Sequence, residues 1–161
     1  MPIVDVQKDP KALTMTVTAQ FAAPVERVWA AYADARQLER FWGPPEWPAT
    51  FERHDFRVGG RSEYVMNGPN GEQSRGFWEF VSVDAPRMFE VTDGFLGPDG
   101  QQVTGMPTMR IRFMFEPHDG GTRMVTVTTF PSLEALDQLL AMGMEEGMQA
   151  AMAQIDGVLA A

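Results

Sequence analysis

The chain contains no cysteine. That excludes disulfide scaffolds, thiol nucleophiles, thiolate zinc sites and iron–sulfur clusters, and it suits a reducing compartment. Lysine is nearly absent too, with only Lys8 and Lys11, and 22 acidic residues outweigh 13 basic ones for a formal net charge of -9. Binding along a phosphate backbone needs clustered Lys and Arg, so nucleic acid is excluded as a general partner. No apolar run approaches the roughly 18–20 residues of a membrane span. The opening residues Met1-Pro2-Ile3-Val4-Asp5 lack the basic and apolar regions of a signal peptide. The expectation is a cytoplasmic protein without membrane insertion. Two histidines, His54 and His118, with no H-E-x-x-H spacing predict no metal site and no cofactor. Four serines without a G-x-S-x-G elbow give no support to a Ser-His-Asp triad.

What is present is ordinary globular material: 44% hydrophobic and 22% charged residues, enough apolar surface to fold. At 161 residues the chain falls within the usual length of one domain, about 100–200 residues. The pattern starts at Leu13, so the reading is a loose segment over 1–12 and a single domain over 13–161.

Residues 13–21 alternate apolar and Thr or polar side chains, the period of a half-buried strand. Pro24 then suits a helix start, with Val25, Val28, Trp29 and Tyr32 at helical spacing. A second short helix is predicted over 34–41 with Asp34 as its N-cap, ended by Gly43-Pro44-Pro45. Strands follow over 50–56, 61–67, 76–84, 88–92, 109–116 and 123–130, separated by turn sequences such as Gly68-Pro69-Asn70-Gly71 and Gly97-Pro98-Asp99-Gly100. This is an antiparallel meander. After Ser132, a second predicted N-cap, an apolar stripe runs through Leu133, Leu136, Leu140, Met144, Met148, Met152, Ile155 and Leu159. One helix over 133–159 would be about 40 Å long at about 1.5 Å per residue. It must lie along an apolar face of equal length, and the sheet is the candidate. The fold class is therefore α+β, a sheet of about seven strands wrapped around one long C-terminal helix, with two short helices after the first strand. Gly143 and Gly147 in that helix leave two possibilities open: a cavity opposite them, or a bulky sheet residue packed there.

Four blocks carry a resemblance. Ala23-Pro24-Val25-Glu26-Arg27-Val28-Trp29, Leu38-Glu39-Arg40-Phe41-Trp42-Gly43-Pro44, Asp55-Phe56-Arg57-Val58-Gly59-Gly60 and Gly143-Met144-Glu145-Glu146-Gly147-Met148 are similar in kind and order to the SRPBCC (START-like, helix-grip) superfamily. Within it they resemble the bacterial branch named after the activator of Hsp90 ATPase homologue. The resemblance implies a seven-stranded antiparallel sheet gripping the last helix over a deep cavity. It also implies ligand binding, cyclase- or hydrolase-like chemistry, or an interaction or stress-response module, among which fold does not choose. Where the family often carries Trp, this chain has Met148, which enlarges or reshapes whatever lies beneath.

The cavity candidates are Trp42 and Trp47 beside the Pro44-Pro45 loop, Tyr64 and Met66 on one strand face, and Met144 and Met148 on the last helix. Flat rings and pliable Met suit an apolar or aromatic small molecule, and equally suit plain core packing. His54 is a candidate acid–base group in the cavity; beside it, Asp55 and Arg57 could form an ion pair across the Gly59-Gly60 turn. Glu79 lies between Trp78 and Phe80. It is a buried, functional carboxylate if the Phe77 face points inward, and a solvated one if the Trp78 face does. An enzymatic reading needs Glu79, His54 and Tyr64 to converge. A third reading is a protein partner at the acidic C-terminal helix, through Glu134, Asp137, Glu145, Glu146 and Asp156, since no basic residue follows Arg123. Arg110 and Arg112 alternate with apolar residues and are expected to face solvent or the acidic helix end, making 109–116 a guarded edge strand. Oligomeric state is open.

Overall fold

The protein is described from a computed structural model over residues 2–160. Eight strands form one antiparallel, curved sheet: β1 (Ile3–Asp9), β2 (Thr14–Phe21), β3 (Ala49–His54), β4 (Arg61–Asn67), β5 (Gln73–Asp84), β6 (Met88–Leu96), β7 (Met109–His118) and β8 (Gly121–Thr129). Their spatial order is β1-β2-β8-β7-β6-β5-β4-β3. The inner face is written in period-two alternation: Met15, Val17, Ala19 and Phe21 on β2, Phe89 and Val91 on β6, and Ile111, Phe113 and Phe115 on β7 are all buried.

Helices α1 (Val25–Ala33) and α2 (Ala35–Trp42) carry the chain from β2 across to the far edge at β3. Asp34 caps α2 as expected, its Oδ1 accepting from Arg36 N at 3.0 Å. Side chains of α2 also cover the free edge of β3. Glu39 accepts from Phe51 N and Arg36 donates to Phe51 O, at 2.9 and 2.8 Å. An exposed edge would otherwise be a template for pairing with another chain.

The C-terminal strap is where expectation and structure part. It is not one rod but α3 (Leu133–Ala141), α4 (Met144–Met152) and α5 (Ile155–Leu159). Ser132 caps α3 as predicted, Oγ accepting from Ala135 N at 3.0 Å. Gly143 then takes φ +89°, a left-handed conformation that side chains resist, and turns the chain between α3 and α4. The joint of α4 and α5 is milder, both of its residues staying in the right-handed helical region. It is pinned by Gln154 Nε2 donating to Gly43 O at 2.8 Å, while Arg27 of α1 donates to Val158 O at 2.9 Å. The strap thus leans on α1 and α2.

Two further expectations are corrected. Residues 3–9 are not loose: they form β1, joined to β2 by a turn in which Asp9 Oδ1 accepts from Lys11 N and Ala12 N. Residues 109–116 are not an edge, because β7 is flanked by β6 and β8. Arg110 and Arg112 do not meet the acidic helix. On the outer sheet face both donate to Glu90 of β6, each at 2.8 Å. Among the described residues no helix is long and apolar enough to cross a membrane.

Candidate functional site

The concave face of the sheet is filled unevenly. Beneath α1, rings interlock: Phe89 stacks on Phe113 at 4.4 Å between centroids, and Trp29 meets Phe56, Phe89 and Phe115 edge-on at 5.3–5.7 Å. Beneath α4 lies a partly open cavity of about 290 Å³, at the lower end of the about 300–1,000 Å³ typical of small-molecule sites. The sheet contributes Tyr64 and Met66 (β4), Asp93 and Phe95 (β6), and Met109, Ile111 and Phe113 (β7). Helix α2 contributes Phe41 and Trp42, and α4 contributes Met144, Gly147, Met148 and Met152. The choice left open at the glycines is now resolved. A Cβ added to Gly147 would meet nothing within 4 Å, so it faces space rather than a bulky sheet residue, while Gly143 serves the bend.

One polar pair stands in this apolar lining. Tyr64 of β4 reaches across β5 to Asp93 of β6, its hydroxyl donating to Oδ1 at 2.9 Å. The ring can lie this low because Gly76 sits beneath it: a Cβ there would come within 2.4 Å of Tyr64 Cζ and Oη. Burial pushes the Asp93 carboxyl up to about 7, against the pull of the bonds from Tyr64 and the Gly94 N–H. Burial, and then the neighbouring carboxylate, drive the Tyr64 hydroxyl well above its ordinary range. Trp42 packs edge-on against Trp78 at 4.8 Å and lies 5.9 Å from Tyr64. Its Nε1–H sits near enough to the Tyr64 oxygen to oppose that rise slightly, yet it makes no hydrogen bond of good geometry.

Of the residues singled out by sequence, Trp42, Tyr64, Met66, Met144 and Met148 come together around the cavity. Trp47, His54 and Glu79 do not. The Trp47 indole lies on Gly68 at the β4–β5 turn; its loop reaches the cavity only through Pro44. His54 is held away from it between Ser62 Oγ, 2.7 Å from Nδ1, and the Tyr32 carbonyl, 2.9 Å from Nε2. A carbonyl only accepts, so Nε2 carries the proton and Nδ1 accepts from Ser62. Burial lowers the His54 pKa, against the opposing effects of the Tyr32 carbonyl, Asp34 and Asp55. Its role is to tie β3 and β4 to the end of α1. Glu79 is exposed on the outer face near Arg61, because Trp78 and Phe80 take the inner one. Glu79, His54 and Tyr64 therefore do not converge as the enzymatic reading of the sequence needed. Asp55 pairs with Arg53, at 3.0 Å, rather than with Arg57. The strap acids are divided among three helices, and Glu145 is bound by Lys8 of β1 at 2.6 Å.

Sequence reasoning missed Asp93 and Gly76. The signal for Asp93 was the run Phe89, Val91, Asp93, Phe95 at spacing two, which places a carboxylate on the buried face once β6 is extended beyond Thr92.

A curved antiparallel sheet closed by a C-terminal helical strap, with a cavity between them, defines a helix-grip protein. Residues 22–160 match the family described as Activator of Hsp90 ATPase homolog 1-like protein, and the chain belongs to that family. Among solved structures it is similar to protein Ms6760 from Mycobacterium smegmatis, with 50% identity over 98% of this chain and 97% of that one and a TM-score of 0.92. A protein from Arthrobacter aurescens shares 47% identity over 98% of this chain and 91% of that one, with a TM-score of 0.94. One from Staphylococcus epidermidis shares 29% identity over 97% and 93%, with a TM-score of 0.84. A comparison with curated proteins gave no match.

Proposed function

We propose that the chain is a binding protein for an apolar or aromatic small molecule, held between the sheet and α4. The observation that carries this reading is the unfilled space beneath Gly147, walled by rings and Met side chains. Interiors normally pack with few voids larger than a water molecule, so an opening of this size, reached from the surface, suits a ligand better than a defect of packing. Met side chains adapt to ligands of differing outline.

The test is titration with the apolar fluorophore N-phenyl-1-naphthylamine. Folded protein should take up one equivalent with enhanced emission. Met148→Trp and Gly147→Leu, which fill the space from α4, should each weaken uptake at least about tenfold, a change of about 1.4 kcal/mol, while far-UV dichroism and Tm show the fold retained. No uptake by the wild type, or equal uptake by both variants, would overturn the reading.

A further inference from the structure

Two buried carboxylates lie on β6, one on each face of the sheet, and the fold treats them oppositely. Glu90, on the outer face, is paired with both Arg110 and Arg112. Asp93, buried to a similar degree on the cavity side, has only neutral donors, the Tyr64 hydroxyl and the Gly94 N–H. No Lys, Arg or His among the described residues forms an ion pair with it. A carboxylate withdrawn from water without a cation is costly, and this one borders a space large enough to admit a cation from outside.

We infer that the cavity is built for a lipophilic cation, an aromatic or alicyclic body bearing a protonated amine whose ammonium pairs with Asp93. This rests on the reading of the cavity as a ligand site and names the chemistry that site selects. Aromatic rings, whose faces attract an ammonium, line the space at Trp42, Tyr64, Phe95 and Phe113. The one basic residue of the lining, Arg75, has its guanidinium engaged by Glu52 on the outer face at 2.9 Å. An anionic ligand would meet Asp93 with nothing to compensate it. The overall charge of -9 and Glu146 in the first turn of α4 favour the approach of cations.

Binding should follow the ionisation of Asp93. Tyr64 from β4 is the titratable side chain that touches it. From β5 it faces Trp78, from β7 Met109, and the side chains that α2 and α4 bring to the cavity, Phe41, Trp42, Met144, Met148, Ala151 and Met152, carry no charge. Tyr32, the remaining titratable group of the lining, packs against Phe41 and Phe113. With the carboxyl near 7, about 1% is ionised at pH 5, so the apparent affinity of an ammonium falls up to about 100-fold below its value at pH 8 and above.

The experiment is calorimetric titration of the full chain with 2-naphthylmethylamine and its neutral counterpart 2-naphthylmethanol at pH 5 and pH 8. The amine should bind about tenfold or more tightly than the alcohol at pH 8. That advantage should shrink at pH 5 and vanish in Asp93→Asn, where both probes bind alike. The inference is overturned if the alcohol binds as well as the amine at pH 8, or if the amine's advantage survives in Asp93→Asn. Should that variant fail to fold, the wild-type profile decides alone, and an advantage unchanged from pH 8 to pH 5 overturns the inference. Uptake of N-phenyl-1-naphthylamine without uptake of the amine rejects the cation and leaves the ligand site standing. Failure of all three probes rejects the ligand site itself.

Discussion

The same sheet face is solid at one end and hollow at the other. Under α1, aromatic rings crowd around Phe89, with Trp29 and Phe56 edge-on, Trp78 tilted and Phe113 stacked. Under α4, Met66, Met109, Met144 and Met148 surround a void, and the helix above lines it with Gly147, where an added Cβ would meet no atom. Both ends are apolar, so hydrophobicity does not separate them. What differs is shape: planar rings satisfy one another, whereas flexible thioethers opposite a missing Cβ leave contacts unmade. The tightly packed core and the proposed ligand site thus occupy different halves of one interior.

The largest effect should come from breaking the solid half. Phe89→Ala should cost about 3–5 kcal/mol, read as a lower midpoint in urea unfolding, since this fully buried ring touches rings on several sides. A loss below about 1 kcal/mol would mean the solid half is no better packed than the hollow one.

Next comes the pH dependence of stability. The folded value of Asp93, about 7, lies above its unfolded 3.8, so between the two the folded chain holds the extra proton. The stability linked to Asp93 is present below about pH 4 and is lost as pH rises through about 7, on the order of a few kcal/mol. His54 runs the other way. Its folded value lies below 6.5, so its contribution is present above 6.5 and lost as pH falls through the lowered value. The two partly offset each other in the wild type. In Asp93→Asn the Tm should rise at pH 8, and acidification should expose the decline due to His54. A Tm of Asp93→Asn that stays parallel to the wild type from pH 5 to pH 8 would contradict the assignment.

The two strap glycines sharpen the comparison with smaller, opposite effects. Gly143→Ala places a Cβ at φ +89° and should destabilise by about 1–2 kcal/mol. Gly147→Ala, whose Cβ meets nothing, should stabilise by up to about 1 kcal/mol through helix propensity alone. Equal shifts in chemical denaturation for the two would show that they are not doing different jobs.

Much of this was legible in the sequence because burial of one face writes itself as alternation. That holds for β2, β7 and β8, and for both N-caps. β1 escaped notice because, of its residues, only Ile3 and Val6 pack against the core. The bend at Gly143 was hidden because Leu140, Met144 and Met148 keep a spacing of four straight through it. The arginines of β7 imitate a guarded edge, and only the pairing with Glu90 on the next strand reveals an interior one. Tyr64 was found as an aromatic on a buried face. Its partner lies 29 residues away on a strand not adjacent to its own, a relation no local pattern encodes.

The close approach of Tyr64 to Gly76 also makes a diagnostic for relatives. A homologue can keep tyrosine at 64 and aspartate at 93 and still lack the pair, if anything bulkier than glycine stands at 76. The three positions therefore act as one unit, and the residue at position 76 should decide whether a relative with this tyrosine and this aspartate can bring them together.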